Sequence, residues 1–235
     1  ADARVAFEVM AGPDPRDPHS VALLDVAPPT SPRIAVSPRP GLDVAVDADV
    51  MAAFEVAVAK LRAAGWRIEA ADVSWPAGTT ETAFTAVNAA ASALLYGEHH
   101  AKDKTLFGDN VAGLIERGQS VRGTDVVAAL RFADACARSV AQFFTDYDYL
   151  LTPTTACVSW PVEQVYPPTI ENRVAGPRGH AAFTPLFNLA LVPAISVPCG
   201  TGRNSLPVGL QIIAPRLHDR PLLAMAQRAE TALAA

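Results

Sequence analysis

The chain has 235 residues, half of them hydrophobic, so it can bury a substantial core and reads as a single domain over 1–235 with no linker-like break. Nineteen basic residues against twenty-four acidic ones give a formal charge of −5, and Lys and Arg are scattered rather than striped, which argues against nucleic acid as a partner. No apolar run approaches the about 18 residues of a bilayer span, so no membrane partner is expected; Cys136, Cys157 and Cys199 are too dispersed for a disulfide framework or a zinc site and point to a reducing, cytoplasmic setting.

The opening residues 1–10 read as a helix already under way, with Val5, Val9 and Met10 on one side and no initiator Met, so the natural N-terminus is expected upstream, and no secretory leader is read. That helix is predicted to end at Ala11-Gly12, because the prolines at 13, 15 and 18 each remove a donor. Residues 33–37 and 66–73 read as strands flanking a helix that Asp47 or Asp49 can cap and that carries Val50, Phe54, Val58 and Leu61 on one face, with Gly65 at its C-terminal stop. A strand, helix, strand unit predicts a parallel pair.

The middle section reads as all helix. Residues 80–97 place Phe84, Val87, Ala91 and Leu94 inward; 109–117 form a shorter helix closed by Gly118; Thr124 caps a long one to about 145 with Val127, Leu130, Ala137 and Phe144 at helical spacing. Residues 148–153 form a compact apolar strand stopped by Pro153, and 153–182 a Pro- and Gly-rich excursion of a length that is usually functional. Residues 194–198 and 208–214 read as an antiparallel hairpin, and Asp219 caps a terminal helix with Leu222, Ala226 and Leu233 facing the core. The fold class is therefore α/β, with part of a mixed sheet and an antiparallel pair near the C-terminus.

Nucleophilic chemistry at a serine needs an activating base and a turn that exposes the hydroxyl. No Gly-x-Ser-x-Gly occurs, and Lys60, Lys102 and Lys104 are the only lysines, none in a Ser-x-x-Lys arrangement. No catalytic residue is assigned within the chain. Adjacent helical residues point about 100° apart, so His99 and His100 do not converge on a metal and are expected at the surface; no metal or cofactor is expected. His180 lies in the excursion and is read as either pocket-facing or exposed. Cys136 and Cys199 occupy ordinary core positions, whereas Cys157 follows the end of a sheet strand, a place where α/β folds line ligand crevices.

Four segments together resemble the amidase signature family: 9–18, 148–155, 183–200 with its Phe-Thr-Pro-Leu-Phe-Asn and Pro-Ala-Ile-Ser-Val-Pro runs, and 206–211 (Leu-Pro-Val-Gly-Leu-Gln). The resemblance implies the C-terminal half of a serine amidase, a mixed sheet sandwiched by helices, and hydrolysis of carboxamides by a Ser, cis-Ser, Lys triad lying upstream. It places Thr155, Cys157, Phe183 and Asn188 nearest the substrate pocket, and makes the N-terminal half of the same amidase and a small amide the partners. The chain alone is then expected to be inactive, and to self-associate through its uncovered edge. Two departures stand out. Leu191 replaces a Gly frequent two residues before the position of Pro193, and Ala181 and the run Gly118-Gln-Ser-Val-Arg-Gly123 depart from the glutaminase subunits of tRNA-dependent amidotransferases, which favours a stand-alone amidase. A non-catalytic ligand-binding or interaction module is the reading from a different class.

Overall fold

A computed structural model describes residues 2–22, 25–78 and 80–234, without the side chains of Thr80, Glu81, Thr82 and Phe84. Its internal contacts divide the chain into two compact units, Ala1–Ser74 with Ser139–Ala235, and Trp75–Arg138.

The first unit holds a five-stranded mixed sheet in the order β2-β1-β3-β7-β6, built from β1 (Ile34–Val36), β2 (Ile68–Ala70), β3 (Tyr149–Pro153), β6 (Ala194–Thr201) and β7 (Pro207–Ile213). β1 pairs in parallel with β2 across the crossover helix α2 (Ala48–Ala63), as the strand, helix, strand reading requires, and in parallel with β3; β7 runs antiparallel to both β3 and β6. A separate two-stranded hairpin, β4 (Thr169–Ile170) with β5 (Arg173–Val174), lies within the excursion. No sequence signal announces it, because two-residue strands carry no periodicity.

Strand alternation sorts side chains between the two sheet faces. Tyr149, Leu151, Val197, Leu210 and Ile212 share one core with Phe54, Val58 and Leu61 of α2 and with Leu222, Met225 and Ala226 of the terminal helix α7 (Asp219–Ala234). Each fully buried large side chain in such a core contributes about 1.5–3 kcal/mol over an exposed one. The Tyr149 hydroxyl is satisfied by the Pro221 carbonyl at 3.3 Å, and burial pushes its pKa up to about 12.

Local signals behave differently at the helix ends. Asp47 does precede α2, but its side chain makes no cap bond; it is drawn instead to the Glu171 N–H and the Arg203 guanidinium, stronger partners from distant segments. Helix α1 (Asp2–Met10) ends as expected, yet its apolar side faces outward, Val9 being 81% exposed, and the helix is held by its polar side through the Glu8–Arg220 ion pair to α7 at 2.8 Å.

The second unit contains α3 (Thr80–Lys102), α4 (Asp109–Gly118) and most of α5 (Gly123–Phe143). Here the inward faces correct the sequence reading. Leu94 is 85% exposed and Ala91 is also exposed, while Ala83, Ala86 and Ala89 are buried; on α5, Val127 and Leu130 face out and Ala129 and Cys136 face in. The expectation for Phe84 falls outside the described side chains. Small residues pack inward because α3 and α4 approach closely: a Cβ on Gly118 would sit 1.9 Å from the Ala89 carbonyl oxygen. Gly118 is the last residue of α4, where the sequence put the helix's close, and it also serves as a packing glycine. α5 starts one residue before Thr124, so Thr124 is not its cap. His100, expected at the surface, is 4% exposed, with Nε2 3.4 Å from the Glu116 carboxylate, whereas His99 is exposed. Among the described residues no helix is long and apolar enough to cross a membrane.

Candidate pocket wall

The candidate site grows from the C-terminal end of β3. The Thr154 N–H donates to the Gly209 carbonyl at 2.9 Å, continuing the ladder by one residue before the chain leaves the sheet. Thr155 follows at the surface, its hydroxyl donating to the Cys157 carbonyl at 2.9 Å, a short-range bond that shapes the exit turn. Cys157 itself turns inward. It is 3% exposed and shares a second core with Val46, Val50, Val158, Phe183 and Val208. Of the four residues singled out in the sequence, the fold therefore joins Cys157 and Phe183 in one apolar cluster and leaves Thr155 and Asn188 outside it, both exposed.

Burial pushes the Cys157 thiol up to about 11, with Asp47 and Asp49 adding to the rise and Arg203 opposing it; burial likewise pushes Cys136 and Cys199 up to about 11. All three stay protonated at neutral pH, the opposite of an activated thiolate.

Phe183 is fixed through its backbone. Its carbonyl accepts from Gln211 Nε2 at 3.5 Å, and the same amide donates to the Thr152 hydroxyl at 3.0 Å. Both Gln211 and Thr152 are buried on the sheet face away from α2, so this polar chain fastens the excursion's end to the sheet where an unpaired amide would be costly. Helix α6 (Pro185–Leu189) starts two residues later and ends in a Schellman closure: the Leu191 N–H reaches the Asn188 carbonyl and the Val192 N–H the Phe187 carbonyl. Leu191 holds the left-handed position of that closure at φ +55°. A glycine would hold this dihedral without strain, whereas a leucine is disfavoured there.

The excursion's hairpin is pinned through its turn residue Glu171. Its turn puts Glu171 and Asn172 at φ +51° and +59°, a geometry Asn tolerates and Glu does not favour. Glu171 is held there from both ends, its N–H donating to Asp47 at 2.8 Å and its carboxylate pairing with Arg39 at 2.9 Å. Arg203, from the β6–β7 loop, pairs with the other oxygen of Asp47 and donates its N–H to Asp49 at 2.7 Å. Asp47 was legible only as a helix cap; no local pattern announces a carboxylate that ties together segments 124 and 156 residues away.

His180 lies against Trp160 with ring centroids 4.7 Å apart, and its Nδ1 is buried with no hydrogen-bond partner among the described residues. Burial lowers its pKa, and the Arg178 charge lowers it further.

The outer face of β6 beside this wall is exposed, whereas its β7 neighbours on the same face, Gln211 and Ile213, are buried. Ala194, Ser196 and Pro198 are exposed, and β6 has a strand neighbour on one edge only among the described residues. The Ser196 and Thr154 hydroxyls meet at 2.6 Å across β7, a contact that exists because Gly209 lies beneath them: a Cβ there would come within 2.4 Å of one oxygen and 2.8 Å of the other.

A mixed sheet carrying helices, with an apolar loop core at a strand's C-terminal end, is the frame of an α/β enzyme scaffold. The family model described as Amidase matches residues 1–223, and the chain belongs to the amidase signature family. It is 29% identical to an acylamidase of Rhodococcus erythropolis, covering 98% of this chain and 50% of that protein. It is 31% identical to a component of the glutamyl-tRNA(Gln) amidotransferase of Synechococcus sp. (strain RCC307), covering 99% of this chain and 53% of the relative. A solved bacterial aryl acylamidase of the amidase signature family superposes with a TM-score of 0.80 at 24% identity, over 98% of this chain and 51% of that one. The chain thus spans about half the length of the relatives it matches.

Proposed function

We propose that this chain is the C-terminal half of an amidase that hydrolyses carboxamides to a carboxylic acid and ammonia or an amine, with both compact units belonging to one amidase domain. The nucleophile, base and oxyanion donors, a Ser, cis-Ser, Lys set, belong to the other half, and this half walls the substrate pocket with Thr155, Cys157, Phe183 and Asn188. The observation that carries the reading is the exposed outer face of the edge strand β6, next to the Cys157–Phe183 wall, in a chain that spans about half the length of its relatives. An exposed eight-residue edge strand is a liability that proteins ordinarily cover, and the second half is the proposed cover. The small residues Ala194, Ser196 and Gly209 let another backbone come close.

The test is reconstitution. The chain is mixed with the half of the Rhodococcus erythropolis acylamidase that it does not match, and hydrolysis of a panel of anilides and aliphatic amides is followed. A complex that hydrolyses amides while each half alone is inert is the expected result. Turnover by the 235-residue chain alone, or an inert but well-folded complex, overturns the reading.

A further inference from the structure

At the N-terminal ends of β1 and β2, the sheet edge opposite the Cys157 wall, a surface groove runs past Trp66. It has a polar lobe of about 300 Å³ lined by Thr30, Ser31, Arg67 and Arg228, and an apolar lobe of about 490 Å³ lined by Ala224, Ala232 and Gln227; Trp66 and Arg228 line both. The polar lobe lies at the lower bound of small-ligand sites, about 300–1,000 Å³, and the apolar lobe is a shallow surface open to solvent.

The charge lining these lobes is one-sided. Among the described residues that line the two lobes, only Arg67 and Arg228 are charged, in a chain whose net charge is −5; Arg33 and Glu69, of opposite sign, line the hollow adjoining the polar lobe. Elsewhere on the same unit the arginines that matter to the fold are spent on carboxylates, Arg203 on Asp47 and Arg220 on Glu8. Among the described residues neither Arg67 nor Arg228 has a carboxylate partner, and the Arg228 guanidinium lies 5.7 Å from the centre of the Trp66 ring. The C-terminal end of α2, at Ala64 and Gly65, also borders the polar lobe and brings a partial negative charge of about half a unit, which two full guanidinium charges outweigh. A guanidinium offers a planar fork of donors matched to a carboxylate, and an indole beside it offers a flat apolar surface.

We propose that this groove binds a small aromatic carboxylate, its ring lying in the apolar lobe along Trp66, Ala224 and Ala232 and its carboxylate between Arg67 and Arg228, with the Ser31 and Thr30 hydroxyls at the rim. The site is separate from the pocket wall and holds whether or not the chain is an amidase half. It asks for both halves of the ligand: the anion for the polar lobe and the ring for the apolar one.

The test uses the ¹⁵N-labelled 235-residue chain, whose three tryptophans, Trp66, Trp75 and Trp160, give three indole N–H resonances. The Trp66 resonance is assigned by its loss in Trp66→Phe or, by elimination, from Trp75→Phe and Trp160→Phe. Sodium benzoate, benzamide and sodium acetate are titrated at constant ionic strength. Benzoate is expected to shift the Trp66 resonance saturably and to leave the other two in place, with benzamide and acetate at least tenfold weaker. Arg67→Ala and Arg228→Ala are each expected to weaken benzoate at least fivefold, and Arg228→Lys to weaken it less than Arg228→Ala. Both arginines are exposed, so their truncation leaves the core intact. Benzamide binding as well as benzoate, arginine variants without effect, or a Trp66 shift that never saturates overturns the proposal.

Discussion

Over residues 210–213, β7 is covered on both of its faces, whereas the two faces of β6 have opposite fates. On one, Val197 disappears with Leu210 and Ile212 of β7 beneath α2 and α7; on the other, Ala194, Ser196 and Pro198 stay in solvent, and two hydroxyls are close-set over a glycine. The covered face holds this chain together, whereas the bare face is built of residues that add little to stability and leave room for a neighbour. Burial and exposure thus alternate along one strand.

The largest effect separating the faces is expected from Leu210→Ala, which should cost about 2–5 kcal/mol in urea unfolding, against under about 1 kcal/mol for Ser196→Ala on the bare side. Equal costs would erase the distinction. Next, Asp47→Ala removes the buried acceptor that joins Glu171 and Arg203 to the start of α2 and should cost about 2–3 kcal/mol, less than a fully buried pair because Arg203 is half exposed. The same variant should raise the rate at which Cys157 is alkylated, since that knot closes the core around it; an unchanged rate would separate the knot from the pocket wall.

The pH response reports on the second core. The folded-state pKa of Cys157 is raised to about 11 from an ordinary value near 9, so the folded chain holds its proton more tightly than the unfolded one. That stability is complete below pH 9 and is lost as pH rises through 11. The urea midpoint should therefore fall across this window, and fall less in Cys157→Ala; an identical slope in both would mean that the thiol is not buried as described. Gly209→Ala should cost about 1–3 kcal/mol by forcing Thr154 and Ser196 apart, read from the same unfolding curves. Smallest and opposite in sign, Leu191→Gly should stabilise by up to about 1 kcal/mol, because it relieves a left-handed residue without touching the core.

The sequence by itself determined the parallel β1–α2–β2 unit, the β6–β7 hairpin and the terminal helix, because their apolar periodicity and Gly and Pro punctuation act within a few residues. It also carried the motif order that marks the family. Only the tertiary structure decided which side of α3 and α5 turns inward, where Leu94 and Leu130 lost to the smaller Ala89 and Ala129, whereas the inward faces of α2 and α7 were legible in the sequence. It likewise decided that Cys157 and Phe183 meet while Asn188 stays outside, that Asp47 is a knot rather than a cap, and that Leu191 stands where a positive φ is needed. The first three share one physical reason. Burial and partners are set by segments far away in the chain, and local pattern carries no record of how closely those segments approach; the Leu191 dihedral is set instead by the closing turn of α6, which its own residue type does not announce.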